Sequence, residues 1–364
     1  MTSPHHRKKR SALAAASAAM LLLALSLFGG AQSASALGAW STPTLVYDPN
    51  LVQTTAYSYA PSKITGASDR VWTCHSRSSG AVRDDIFLTT RTGGGVASSV
   101  SVLSGGGTAW DSFHVCDPSV VRVDVTYGGT PYSYAMFYLG NDADCSCHNQ
   151  IGVAFSTGLD GPWVRYPSPV IAFDATKPTS AWGEGQPSAT TVDAAAGTVA
   201  LTWSSGYTAD PADTKAYFAQ VSFGSGVPAV SGTHQIQTTG LTDLNGDPDF
   251  LNNFDIVYSW TRDTFYMVRE AHPYPTTDPG YISSAVQVAS LPGSSMWSGT
   301  GSWTVLDDLG SSLTGFDRTH NPGFGRTIYG TLPDESRLEV LFSTAHLDPG
   351  SLWSYKVYAT SATL

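Results

Sequence analysis

Charged residues are scarce in this chain, and positive ones are scarcer than negative ones. Only 13% of the 364 residues are charged, with 19 Lys and Arg against 29 Asp and Glu, so the formal net charge is -10 at pH 7. Nucleic-acid-binding proteins usually carry a basic patch, and this balance argues against nucleic acid as a partner. No segment has the pattern of a phosphate-binding loop. The composition therefore points away from nucleotide chemistry.

Long apolar runs are also missing, apart from one at the start of the chain. Residues 5–10 are basic, residues 20–25 are apolar, and residues 34–36 read Ala-Ser-Ala. This order is typical of a signal peptide with a small-residue cleavage site, the alternative being an uncleaved membrane anchor. We expect residues 1–36 to be a secretory signal peptide and residues 37–364 to form one domain. The mature protein is expected to be secreted, extracellular and without a membrane anchor.

Cysteine is rare, with four residues at Cys74, Cys116, Cys145 and Cys147. An even number in an oxidising compartment predicts disulfides, and four cysteines allow three pairings. One pairing joins Cys74 to Cys116 and Cys145 to Cys147, but the sequence leaves the connectivity open. A metal site at Cys145, Cys147 and His148 is the alternative, and it lacks the second ligand pair that such sites need.

Gly, Pro and aromatic residues are plentiful, with 36 Gly, 21 Pro, 10 Trp and 17 Tyr. This composition is typical of an all-β extracellular domain. One pattern, a short corner followed by three apolar strands, recurs at intervals of about 55 to 70 residues, the size of a four-stranded blade. The corners are residues 60–62, 117–119, 186–188, 253–255 and 321–323. We therefore predict a five-bladed β-propeller with four antiparallel strands per blade.

Two further patterns agree with a propeller. Residues 135–139 and 199–203 are apolar without alternation, as expected for strands buried on both faces between neighbouring blades. Residues 39–47 form a strand before the first full repeat. We expect this N-terminal strand to complete the last blade, beside the strand that ends at Tyr358, which removes an exposed sheet edge.

Three motifs resemble those of the five-bladed propeller glycoside hydrolases of families 43 and 32. The motifs are Asp-Pro-Ser-Val-Val at residues 117–121, Ile-Gly-Val-Ala-Phe-Ser at 151–156 and Gly-Pro-Trp at 161–163. Glu-Gly-Gln-Pro at residues 184–187 resembles the segment that carries the general acid. His320-Asn321 resembles the last-blade His-Asn pair that faces a central ion or water.

The resemblance implies roles for individual residues. Glu184 would protonate the leaving oxygen, and Asp117 would tune the pKa of Glu184 and hold substrate. The family has an Asp base or nucleophile at the head of the first blade, where this chain has Ala60. The missing carboxylate would come from Asp255, from Asp48 or Asp249, or from no residue at all.

Six residues are expected to bind substrate: Trp182, Phe113, Gln186, Asn253, His320 and Asn321. No cofactor is expected to be required, although the resemblance implies a structural calcium at the propeller axis with His320 as a candidate metal ligand. Residues 269–272, Arg-Glu-Ala-His, lie at the end of a strand and are expected either to bind sugar hydroxyls or, as is more common, to form a surface ion pair.

Two functions remain. One is a monomeric, secreted hydrolase of arabinan-, xylan- or fructan-type polysaccharides or oligosaccharides; the other is a carbohydrate-binding propeller without catalysis.

Overall fold

Antiparallel strands dominate the structure, a computed structural model that describes residues 37–106, 109–208, 210–347 and 351–364. The strands are β1 (Thr44–Tyr47), β2 (Ser58–Ile64), β3 (Asp69–Ser76), β4 (Asp84–Thr92), β5 (Gly95–Ser104), β6 (His114–Tyr127), β7 (Thr130–Asn141), β8 (Gln150–Ser156), β9 (Val164–Arg165), β10 (Gly183–Asp193), β11 (Thr198–Gly206), β12 (Lys215–Ser222), β13 (Ala229–Gln235), β14 (Phe254–Ser259), β15 (Thr264–Glu270), β16 (Val286–Pro292), β17 (Thr304–Leu309), β18 (Arg318–Arg326), β19 (Arg337–Ala345) and β20 (Lys356–Thr363).

Helices are short in the described residues. Two α-helices, α1 (Gly293–Ser298) and α2 (Ser311–Thr314), flank β17, and 3₁₀ helices span Pro49–Leu51, Pro211–Asp213 and Ser351–Ser354. None of the described helices is long and apolar enough to cross a bilayer. The predicted signal peptide, residues 1–36, lies outside the described residues.

The strands pair in groups of four that follow the chain. Strands β6–β9, β10–β13 and β14–β17 form three four-stranded sheets, and an eight-stranded sheet has the order β1-β20-β19-β18-β2-β3-β4-β5. The eight-stranded sheet contains two groups joined by a short parallel pairing of β18 with β2 at Gly325 and Arg326. Strand β1 pairs antiparallel with β20. The all-β prediction and the pairing of the N-terminal strand are therefore both observed.

The core lies between neighbouring groups. Strand β8 is buried along its whole length. One hydrophobic cluster joins Phe137 and Val153 of the β6–β9 sheet to Leu201 and Val221 of the β10–β13 sheet. Apolar side chains on both faces of a central strand are thus covered by an adjacent sheet. This arrangement explains why the central strands have no alternation of apolar and polar residues.

The first strand of every group, or the residue just before it, contains a corner with the same backbone geometry. The corner residues have positive φ angles: Ala60 (49°), Asp117 (47°), Gln186 (52°), Asn253 (44°) and Asn321 (38°). Such angles are uncommon for residues with a side chain and cost about 1–3 kcal/mol each. In four groups the strand register also shifts at the corner. The repeat seen in the sequence is therefore a repeat of backbone geometry.

The side chain of Arg326 lies beneath these five residues and contacts four of the five corners. Its guanidinium is buried and donates to Ser62 Oγ at 2.9 Å and Ser119 Oγ at 3.2 Å. It also contacts Ser188 Oγ and Asp255 Oδ1, both at 3.3 Å. These four residues occupy the third position of their corners. One cation thus fixes four chain segments that are far apart in sequence.

Both predicted disulfides are present. Cys74 of β3 is bonded to Cys116 of β6, and Cys145 is bonded to Cys147. The alternative of a metal site at Cys145, Cys147 and His148 is wrong, because both sulfurs are in a disulfide and offer no thiolate ligand.

Candidate functional site

A cleft of about 490 Å³ opens above the corner residues. Four of these residues, Asp117, Gln186, Asn253 and Asn321, line it together with His320. Aromatic side chains form much of the remaining wall: Tyr57, Tyr59, Phe113, Trp182, Tyr281 and Tyr355. The volume is within the range of about 300–1,000 Å³ that is usual for small-molecule sites. All six residues predicted to bind substrate line this cleft.

Asp117 is buried at the cleft and is only 8% exposed. Its Oδ2 accepts the backbone N–H of Gln186 at 3.2 Å, and its Oδ1 lies 3.4 Å from the Cys116 sulfur, which cannot donate a proton. Burial raises the pKa of Asp117 from 3.8 to about 7, although the Gln186 hydrogen bond and the charge of His320 oppose the rise. Asp117 therefore exchanges a proton near neutral pH, which suits a general acid or base.

His320 is held by a buried carboxylate. Its Nδ1 forms a hydrogen bond with Glu270 Oε1, which also accepts the Asn321 backbone N–H at 3.0 Å. Burial alone would raise the pKa of Glu270, but the charge and hydrogen bond of His320, with the hydrogen bonds of Tyr274 and Asn253, hold that pKa below its ordinary value. Glu270 is thus an acceptor for the Nδ1–H of His320 in either charge state, and in neutral His320 the unprotonated Nε2 is left for ligand or water.

A second buried carboxylate, Asp84, organises the part of the wall beside His320, where the Tyr59 and His320 rings stack with their centroids 6.0 Å apart. Asp84 accepts hydrogen bonds from the hydroxyls of Tyr57 and Tyr59. Its backbone N–H donates to His114 Nδ1 at 3.2 Å, so the proton of a neutral His114 is on Nε2. Asp84 therefore fixes the orientation of three side chains that line the cleft.

Glu184, the general acid implied by the family resemblance, does not line this cleft. Its carboxylate is buried and is bonded to the Lys177 ammonium, to Ser205 Oγ at 3.1 Å and to Trp203 Nε1 at 3.0 Å. Gln186, two residues later, faces the cleft instead. Every hydrogen-bond partner of the Glu184 carboxylate comes from the β10–β13 sheet or from the loop before it. The geometry favours a structural ion pair over the predicted catalytic role.

The candidate bases are also held in structural contacts. Asp255 accepts from Ser188 Oγ at 2.5 Å and from the Phe324 backbone N–H at 2.8 Å, beneath the corner residues. Asp48 caps a 3₁₀ helix and pairs with Lys356 at 2.7 Å. None of these carboxylates lines the cleft.

Residues 269–272 do not form the surface ion pair expected from the sequence. Arg269, Glu270 and His272 are all buried. Arg269 pairs with Asp249 at 2.5 Å, and His272 Nδ1 lies 2.9 Å from the same carboxylate. The prediction of a surface ion pair is wrong because strand β15 ends in the interior of the protein. Glu270 acts on the cleft through its hydrogen bond with His320.

The corner residues do not offer the donor set that calcium prefers. Ca²⁺ takes about 6–8 oxygen ligands, usually with several carboxylates. Asp117 is the single carboxylate among the five positive-φ residues, and its pKa is raised to about 7. Asp255, at the third position of its corner, is bonded to Ser188 and to the Phe324 backbone N–H and lies 3.3 Å from the Arg326 guanidinium. His320 Nδ1 is occupied by Glu270. We therefore derive no step through a metal ion.

Comparisons with known proteins identify the fold. No protein-family model and no curated protein matches the sequence. Among solved structures, an α-L-arabinofuranosidase from Podospora anserina matches with a TM-score of 0.59 at 10% identity, over 90% of this chain and 97% of that one. The chain shares the β-propeller fold of glycoside hydrolases.

Two more structures with this propeller fold belong to other hydrolase families. A family 117 glycoside hydrolase from Zobellia galactanivorans has a TM-score of 0.56 at 11% identity, over 90% of each chain. A family 43 enzyme from Xanthomonas citri, complexed with xylotriose, has a TM-score of 0.53 at 14% identity, over 88% of this chain and 91% of that one. The propeller prediction is confirmed at the level of the fold.

Sequence reasoning missed Asp84 and Lys177, and it placed Glu270 in a surface ion pair instead of beside His320. Asp84 and Glu270 act on residues from distant segments, and Lys177 reaches Glu184 from the loop before β10. No local motif marks such pairs. A signal did exist for Glu270: an acidic residue at the end of an apolar strand, where a polar side chain needs a buried partner.

Proposed function

We propose that this protein is a secreted, monomeric glycoside hydrolase whose active site is the cleft above the corner residues. We also infer that the five groups of strands are the blades of a closed propeller, completed by β1. The observation that carries the proposal is Asp117, a buried carboxyl group with a pKa raised to about 7 in a cleft lined by aromatic rings and amides. Aromatic rings and amides are the groups that bind sugars.

In the proposed reaction, protonated Asp117 donates its proton to the glycosidic oxygen as the bond to the anomeric carbon breaks. His320 Nε2 accepts a proton from water while the water oxygen attacks that carbon. Glu270 stabilises the resulting imidazolium, which then passes its proton through solvent to Asp117, so that neutral His320 and protonated Asp117 are restored. Because water attacks directly, the anomeric configuration is expected to invert. In this proposal Asp117 acts as the general acid in place of Glu184. The acid role of Glu184, which the family resemblance implies, stays a prediction.

The test is sugar release from arabinans, xylans, arabinoxylans, fructans and galactans. The wild-type protein should release reducing sugar from at least one of them. Asp117→Asn and His320→Asn should each lower kcat by about 10²–10⁴-fold, the usual contribution of a general acid or base. Glu184→Gln is the matched control, and its folded fraction should keep the wild-type kcat. Loss of activity in correctly folded Glu184→Gln, with Asp117→Asn active, would refute the assignment.

A second candidate function is binding of carbohydrate without hydrolysis. Two observations favour it: Ala60 occupies the position of the family's Asp, and Glu184 is bonded to Lys177. Retained binding to one polysaccharide with no release from any member of the panel would establish this second function and exclude the first.

A further inference from the structure

A side pocket of about 150 Å³ adjoins the main cleft. Trp182, Gln186, Asn253 and Tyr281 line both spaces, so the two spaces are contiguous. The remaining wall of the side pocket consists of Thr208, Asp210, Thr214, Asn252 and Tyr274.

The side pocket combines aromatic faces with fixed amides. Tyr274, Tyr281 and Trp182 provide rings, and Asn252 and Gln186 provide hydrogen-bonding groups. Gln186 Oε1 accepts the Asn253 backbone N–H at 3.0 Å. This bond leaves the Gln186 amide protons for another acceptor. A sugar ring presents the matching surface, with C–H groups on its faces and hydroxyls at its edge.

The charge that lines the side pocket is negative. Among the described residues, Asp210 lines the side pocket and no Lys, Arg or His does. The main cleft is lined by Asp117, Asp144 and the two histidines His114 and His320, again without Lys or Arg from the part of the chain that the structure describes. A carboxylate or sulfate on a ligand would lose solvation in the side pocket without gaining a cationic partner. A neutral sugar avoids both costs.

The side pocket is connected to His320 through hydrogen bonds. The Tyr274 hydroxyl donates to Glu270 Oε2 at 2.6 Å and accepts from Asn252 Nδ2 at 3.2 Å. The other oxygen of Glu270 holds His320. The groups that shape the side pocket therefore also fix the proposed base.

We propose that the ligand is a neutral oligosaccharide of at least two sugars, with one sugar above Asp117 and the next in the side pocket. This inference rests on the proposed function for the position of the first sugar. Asn252 is its specificity-determining residue, because it lines the side pocket and does not line the main cleft.

Isothermal titration calorimetry on the Asp117→Asn protein tests the inference without turnover. The probes are xylotriose, arabinotriose and cellotriose, their monosaccharides, and trigalacturonate as the charged trimer. We expect at least one neutral trimer to bind at least tenfold more tightly than its monosaccharide, and trigalacturonate to bind more weakly than that trimer. Adding Asn252→Ala should weaken the trimer about fivefold, the effect of one hydrogen bond, and leave the monosaccharide unchanged.

Asn245→Ala, at an exposed turn outside both compartments, is the matched control and should change neither affinity. No binding by any neutral trimer, equal or tighter binding of trigalacturonate, or an equal loss for trimer and monosaccharide in Asn252→Ala would overturn the inference. The expected binding pattern without sugar release by the wild type would refute only the proposed hydrolysis.

Discussion

Replacing Asp117 by asparagine should stabilise the folded protein at neutral pH while it removes the proposed activity. Asparagine has nearly the same shape, and its side-chain oxygen can still accept the Gln186 backbone N–H. It differs in carrying no charge at any pH. The substitution therefore measures the free-energy cost of ionising a buried carboxyl group in the folded protein.

The magnitude follows from the pKa of Asp117, which is 3.8 ordinarily and about 7 in the fold. Between these values the folded state holds a proton that the unfolded state has lost, so stability falls as pH rises. Each pH unit in this window costs about 1.4 kcal/mol, and the full loss above pH 7 is about 4 kcal/mol. Below pH 4 both states are protonated and the loss vanishes.

Thermal unfolding of both proteins at pH 4 and pH 8 measures this difference. At pH 4 the two melting temperatures should nearly agree, and at pH 8 Asp117→Asn should melt about 6 °C higher for a domain of this size. Asp144→Asn, at an exposed position on the cleft, is the control and should show no such change with pH. An Asp117→Asn effect that is the same at both pH values would refute the argument from burial.

Three other substitutions test the structural contacts. Arg326→Met leaves Asp255 buried without its cation and should lower the free energy of unfolding by about 3–5 kcal/mol, measured by urea unfolding. Adding Asp255→Asn should restore part of this loss, and a double variant as unstable as Arg326→Met would contradict the prediction. The Cys74–Cys116 disulfide joins residues 42 positions apart, and its removal should lower the free energy of unfolding by about 4 kcal/mol. Removal of Cys145–Cys147, whose cysteines are two positions apart, should lower it by only about 1.6 kcal/mol. Equal changes in the urea midpoint would show that loop length does not control the effect. Glu184→Ala leaves the buried Lys177 ammonium without its carboxylate and should lower the free energy of unfolding by about 3–5 kcal/mol. The folded fraction of this variant should keep the wild-type kcat. An inactive variant of normal stability would show instead that Glu184 is the general acid.

The fold could be predicted from the sequence because its repeating feature is local. A corner such as residues 117–119 fixes the backbone over three residues, and an apolar strand such as β8 needs a sheet on each face. Both signals are contained in short segments.

The site was harder to predict because it depends on register and on distant partners. The pairing of β10 with β11 shifts between Gly185 and Ser188, so simple alternation does not tell which of Glu184 and Gln186 faces the cleft. Glu270 lies 50 residues from His320 in sequence. Neither fact is contained in a local motif.

The five corners separate the architecture of this protein from its chemistry. Backbone geometry is shared by all five corners and Arg326 contacts four of them, whereas Ala60, Asp117, Gln186, Asn253 and Asn321 all border the narrow space at their centre. Selection can therefore exchange one such side chain without redesigning a sheet. Every alanine codon becomes an aspartate or a glutamate codon by a single base change, so a carboxylate at residue 60 is one mutational step away. Gain and loss of catalysis are evolutionarily close in such a scaffold.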